Sequence, residues 1–237
     1  LLANLADRKG TNTLSSSRYG NLKNQIYQPV RTGDFAGYWI CRGFSPDPIE
    51  PRASDLVIYY LHGGGYVAGH PADNISDLLF IAESLAKRNL TSSIFSLDYT
   101  LAPRASFPKQ VEETAAAYEY LVNTLKIDPS KLVLMGESAG AHLALSFLTN
   151  LHLQSINHPV ALPQKPSSLL PKPAMAILVS PWIDLLTSNP RAKELEKRDF
   201  LSKSTLDLYS SMLLRTTSPE IKAMHGNFGT EYKDRGS

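Results

Sequence analysis

Two short stretches carry residues whose types and spacing can do acyl-transfer chemistry. The first is Gly136-Glu-Ser138-Ala-Gly140. It follows the apolar run Lys131-Leu-Val-Leu-Met135, which reads as a buried strand, and runs into the Ala/Leu-rich stretch Ala139 to Leu151, which reads as a helix. A serine between such a strand and such a helix sits on a sharp, crowded turn with its hydroxyl clear of the sheet, and the crowding calls for glycine on both sides. The N-terminal end of the following helix favours a developing anion. Ser138 is the candidate nucleophile. The second stretch is His62-Gly-Gly-Gly65, straight after the strand-type run Asp55-Leu-Val-Ile-Tyr-Tyr-Leu61. Each glycine costs roughly 0.5–1 kcal/mol against alanine in regular structure, so three together imply that something must approach bare backbone. Attack on an ester builds negative charge on the carbonyl oxygen, and backbone N–H groups aimed at it stabilise that charge. Gly63, Gly64 and Gly65, with the N–H of Ala139, are the candidate oxyanion hole.

Those stretches need a scaffold, and the rest of the chain supplies one. Gly37-Tyr-Trp-Ile-Cys41 reads as one short strand in an otherwise irregular segment from Leu1 to Arg52. Asp73 to Arg88 has helical periodicity through Ile75, Leu78, Leu79, Ala82, Leu85 and Ala86. Ser93-Ile-Phe-Ser-Leu97 is a strand, and Pro108 opens a helix to about Leu125. Gln154 to Pro173 reads as a loop, Ala174 to Val179 as a fourth buried strand, and Lys193 to Leu214 as one or two amphipathic helices. Buried strands alternating with helices imply an α/β fold, a mostly parallel sheet with helices on both faces. No linker or repeat divides residues 1–237, so the chain reads as a single domain.

Composition excludes several function classes. A net charge of +2 does not suit a nucleic-acid binder, and there is no zinc-type Cys/His spacing. The lone Cys41 rules out a disulfide framework and reads as a small buried hydrophobe. The longest apolar runs fall far short of a membrane span of about 20 residues. Asn74-Ile-Ser and Asn89-Leu-Thr match the glycosylation pattern without deciding the compartment. The chain begins at Leu1, so an N-terminal part is expected to be missing or removed. The compartment stays open, leaning to the cytoplasm, and so does the oligomeric state.

Four blocks in order, His62-Gly-Gly-Gly-Tyr66, Asp98-Tyr-Thr-Leu-Ala-Pro103, Gly136-Glu-Ser-Ala-Gly-Ala-His142 and Ser180-Pro-Trp-Ile-Asp184, resemble the hormone-sensitive-lipase-like group of α/β-hydrolases, the arylacetamide-deacetylase type. The resemblance covers roughly Asp55 to Leu186. It implies an α/β-hydrolase fold with residues 53–184 as core, 1–52 as an N-terminal cap segment and 185–237 as cap-like helices and tail. It implies a serine carboxylic-ester hydrolase for small to medium acyl esters, with no metal or cofactor, Ser138 as nucleophile, and Gly64, Gly65 and Ala139 as oxyanion donors with Gly63 completing the loop. By the same analogy, Trp39, Trp182, Phe200, Leu206 and Tyr209 lie in the parts that roof the pocket. Asp98 and Asp184 match structural positions. The family usually has Arg where Thr100 stands and Glu where Arg104 stands, which puts the order of that loop in question.

A serine needs a general base, itself oriented by an acid. In this fold the order is Ser, acid, His, with acid and His following later strands. No buried strand is recognisable after Val179, so the last strands are expected to be missing. His225 is the one histidine in the right order, preceded by Asp199 and Asp207, and is expected more as an exposed tail residue than as the base. His142, one helical turn beyond Ser138, reads as packing, and His70, His152 and His158 as surface or loop residues. Three explanations stay open: a fragment of an active esterase, an inactive truncated relative, or an atypical base. The rival class is a ligand-binding protein on the same scaffold.

Overall fold

A computed structural model of the chain describes residues 18–22, 26–162, 169–186 and 201–228, with positions 194, 196, 198 and 199. Six strands form one sheet: β1 (Gln28–Arg31), β2 (Ala36–Arg42), β3 (Leu56–Leu61), β4 (Ser92–Leu97), β5 (Leu132–Glu137) and β6 (Met175–Val179). Their order is β1-β2-β4-β3-β5-β6. β4, β3, β5 and β6 run parallel, and β1 and β2 add an antiparallel hairpin at one edge.

The helices are α1 (Ile75–Ala86), α2 (Lys109–Glu119), α3 (Ala139–Ser155), α4 (Lys203–Leu213) and α5 (Pro219–His225). Alternate residues of β3 point to opposite faces, as the period of a strand requires. Val57, Tyr59 and Leu61 join the core built with Val111, Tyr118, Leu143 and Phe147 from α2 and α3. Ile58 and Tyr60 join the core built with Ile75, Leu78, Leu79 and Ala82 from α1. A fully apolar strand is stable here because both of its faces are covered.

Register sets up the site. Leu61, the last residue of β3, lies opposite Leu97 on one side and Gly136 on the other. The carboxyl ends of β4, β3 and β5 are therefore level. The stretches beginning at Asp98, His62 and Ser138 all leave the sheet along one edge, where open α/β sheets place their ligand crevice.

Three expectations need correction, and a fourth is met where it can be described. The N-terminal segment is not irregular around a single strand: β1 and β2 pair into the sheet, so these residues are scaffold rather than roof. The signal at β1 is weak because Pro29 gives no ladder donor, which suits an edge strand. The run at β6 predicts burial, yet Met175 is 57% and Ile177 40% exposed, because no strand among the described residues covers its outer side. Within Lys193 to Leu214 the described helix is Lys203–Leu213, while residues 187–193 and Phe200 lie outside the described residues. In the C-terminal stretch the expectation that fails is that of His225 as an exposed tail residue. Ser218 caps α5 by accepting from Ile221 N–H, and His225 at its end is fully buried. Residues 1–17, 23–25 and 229–237 lie outside the described residues.

Candidate active site

Ser138 connects β5 to α3 with φ 51° and ψ −115°. A non-glycine residue in that region is strained by about 1–3 kcal/mol, and such strain persists only where the surroundings hold it. Ser138 N–H donates to Val179 O at 2.9 Å, and Trp182 N–H donates to Ser138 O at 3.1 Å. Both anchors come from the end of β6 and the segment beyond it. The flanking glycines are required by contact. A Cβ on Gly136 would lie 2.4 Å from Gly140 O, and a Cβ on Gly140 would lie 2.1 Å from Leu61 O. The start of α3 is thus pressed against the end of β3.

The loop after β3 is wound just as tightly. Gly64 has φ +111°, a conformation that side chains reject, and its carbonyl accepts from Val67 and Ala68 N–H. A Cβ on Gly63 would lie 3.5 Å from Ser138 Cβ, so the loop and the serine are immediate neighbours. Among the described residues, no protein acceptor takes the N–H of Gly63, Gly64, Gly65 or Ala139. His62 holds the loop from beneath. Its Nδ1–H donates to Gly63 O at 2.7 Å, and its ring stacks on Tyr99 at 4.2 Å between centroids. Burial pushes this imidazole down to about 4, so it is neutral at pH 7.

Glu137, beside the nucleophile, accepts from Tyr60 Oη and from the Asn74 amide in front of α1, which fixes the turn from the opposite face of the sheet. That bond turns the amide of the first glycosylation-type triplet inward, whereas Asn89 of the second is exposed. Thr100 restores the order its departure from the family pattern had put in question. Its N–H and hydroxyl both donate to Glu113 at 2.7 Å, and Gln110 donates to its carbonyl.

The structure brings Ser138, Gly63, Gly64, Gly65 and Ala139 together and leaves His225 apart. His225 is not an exposed tail residue. It is buried against Phe107 and Phe228, neither ring nitrogen has a hydrogen-bond partner, and none of its bonds is to Ser138. Asp207 pairs with Lys203, and Asp199 accepts from Leu201 N–H, so neither orients it. His142 packs as expected, between Tyr66 Oη and the carbonyl of His225. Tyr209 of α4 lies against the loop, its ring 2.4 Å from where a Gly65 Cβ would stand. The family resemblance put Tyr209 among the residues roofing the pocket, but its contact with the glycine loop comes only from the structure. Among the described residues, no three His, Cys, Asp or Glu side chains gather to hold a metal, and no helix is long and apolar enough to cross a membrane.

A parallel sheet with helices on both faces, a strained serine on the strand-to-helix turn and a glycine loop beside it together define an α/β-hydrolase. Residues 58–231 match the sequence profile of the alpha/beta hydrolase fold family, and the chain belongs to that family. An acetyl-hydrolase of Streptomyces hygroscopicus is 30% identical over 170 residues, which is 70% of this chain and 46% of that protein. An acetyl esterase of Salmonella schwarzengrund is 33% identical over 124 residues, 49% of this chain and 35% of that protein. The chain thus spans less than half the length of either relative. Among solved structures, EstE5-PMSF superposes with a TM-score of 0.61 at 28% identity, covering 85% of this chain and 61% of that one. An esterase from the bacterial hormone-sensitive lipase family gives 0.63 at 25%, covering 94% and 72%.

Proposed function

We propose that this chain carries the nucleophile and oxyanion half of a serine carboxylic-ester hydrolase for small to medium acyl esters. The observation that carries the reading is the strained Ser138 beside a loop whose Gly63, Gly64 and Gly65 N–H groups, like that of Ala139, have no protein acceptor among the described residues. In this mechanism Ser138 Oγ attacks the ester carbonyl. The tetrahedral oxyanion takes hydrogen bonds from Gly64, Gly65 and Ala139 N–H, with Gly63 shaping the loop; one such donor is worth about 10²–10³ in rate. The alcohol leaves, and water releases the acid from the acyl-Ser138. The relatives' names, acetyl esterase and acetyl-hydrolase, support an acyl ester as substrate.

All six histidines of the sequence lie among the described residues, and none is hydrogen-bonded to Ser138. That observation favours the second reading, a catalytically silent ligand binder on this scaffold. Fluorophosphonate labelling read by intact mass, with Ser138→Ala as control, separates the two. A single adduct that the substitution abolishes supports the hydrolase. A folded chain that stays unlabelled at millimolar reagent refutes an activated Ser138 in these 237 residues.

A further inference from the structure

Behind the oxyanion loop, one imidazole joins three elements. Tyr66 directly follows the third glycine of the loop and has φ +63°, which is unfavourable for an aromatic residue. Its hydroxyl donates to His142 Nδ1 at 2.7 Å. His142 belongs to α3, one turn after Ser138. Its Nε2–H donates to the carbonyl of His225, the last residue of α5, also at 2.7 Å. A carbonyl can only accept, so Nε2 bears the proton and Nδ1 accepts from Tyr66. That pattern requires a neutral ring. We propose that His142 is a positioning residue that ties the loop to the nucleophile helix and to α5, and that protonation of the His142–His225 pair releases this tie.

The surroundings explain why a proton cannot be accommodated with the tie intact. From the loop after β3, His142 faces Tyr66; from the segment before α2, Phe107; from α5, His225; and from beyond α5, Phe228. His225 faces Phe107, Phe228 and His142. No carboxylate interacts with either ring among the described residues. An imidazolium there would be buried among aromatic rings without a counter-charge. Tyr66 would also have to turn its hydroxyl away and leave its proton without an acceptor. Release is cheapest at α5. It is seven residues long, and its ties to the rest of the fold at its ends are few: Thr217 Oγ1 on Phe107 O, Leu185 N–H on Gly226 O, Phe228 N–H on Ile183 O and the His142 bond.

Burial pushes both imidazoles down to about 4 from 6.5. An opening that exposes one ring is therefore favoured about 25-fold more at pH 5.0 than at pH 7.5, and an opening that exposes both about 700-fold. The sign is fixed: the tie is complete above pH 6.5 and is lost as pH falls toward 4.

Amide hydrogen exchange of the 237-residue chain at pH 7.5 and pH 5.0, scaled for intrinsic exchange, reads this directly. The expected result is a large rise at pH 5.0 in peptides spanning 62–69 and 215–228, with β3 and β5 still protected. His225→Phe keeps the carbonyl that His142 uses and removes one titrating ring, so it should cut the pH effect on 215–228 by about 25-fold. Tyr66→Phe should raise exchange in 62–69 several-fold at pH 7.5, with β3 and β5 unchanged. Exchange rising in step throughout the sheet, an unaltered pH effect in His225→Phe, or no change in Tyr66→Phe each overturns the proposal. Only the naming of the loop as an oxyanion hole rests on the proposed function. These readouts need no reactive Ser138, so either can fail while the other stands.

Discussion

Replacing Gly140 by alanine should break the site and weaken the fold through one contact. The added Cβ would stand 2.1 Å from Leu61 O and 2.4 Å from His62 O. A carbon–oxygen contact needs about 3.3 Å, so the start of α3 must withdraw from the end of β3 by about 1.2 Å. Neither side can yield freely. Leu61 is paired with β4 and β5, and Ser138 is pinned by Val179 O and Trp182 N–H. Overpacking against backbone costs about 1–3 kcal/mol. For a chain of this size that lowers Tm by about 2–10 °C. The same withdrawal moves Ser138 and Ala139 away from the loop, and a displacement of about 1 Å costs on the order of 10²-fold in rate. Calorimetry and the rate of Ser138 phosphonylation read the two effects separately. Gly33→Ala, which meets nothing within 4 Å, is the control and should change neither. A Gly140→Ala chain with wild-type Tm would show that the contact between α3 and β3 yields without cost.

Two further predictions come from the loop's neighbour and from the sheet edge. Gly65→Ala meets the Tyr209 ring at 2.4 Å and has φ +62°, so it should lose about 1–2 kcal/mol for the backbone on top of the collision. Adding Tyr209→Ala should recover the collision part, giving a coupling of about 1 kcal/mol or more in a double-mutant cycle; strict additivity would refute the contact. At the edge, Ile177 is 40% exposed on an apolar strand that no strand among the described residues pairs on its outer side, an arrangement that promotes association. Ile177→Lys should raise the concentration at which the chain stays monodisperse in light scattering while keeping its circular dichroism; unchanged association would place the sticky surface elsewhere.

The elements that carry chemistry were legible because their signals are local. Gly136-Glu-Ser138-Ala-Gly140 states its strand, turn and helix within a few residues, and the glycines at 63, 64 and 65 announce a close approach without saying to what. The parallel sheet followed from runs such as Leu56–Leu61 that have no solvent face. β1 was invisible because Gln28, Pro29 and Arg31 give no alternation, and its pairing comes from β2. The exposure of β6 was misjudged because apolar composition states a need for cover, not whether cover is met.

Sequence by itself therefore determined which residues can act and that Ser138 stands on a strained turn, since both depend on neighbours in the chain. Only the tertiary structure decided what those residues meet. The level ends of β3 and β5 set Gly63 beside Ser138, Leu61 O explains Gly140, and α5 buries a histidine that reads as tail. Contacts such as His142 with His225, 83 positions apart, leave no periodic trace in either segment, because what selects them is the shape and polarity of a cavity that exists only once the sheet and its helices have closed around it.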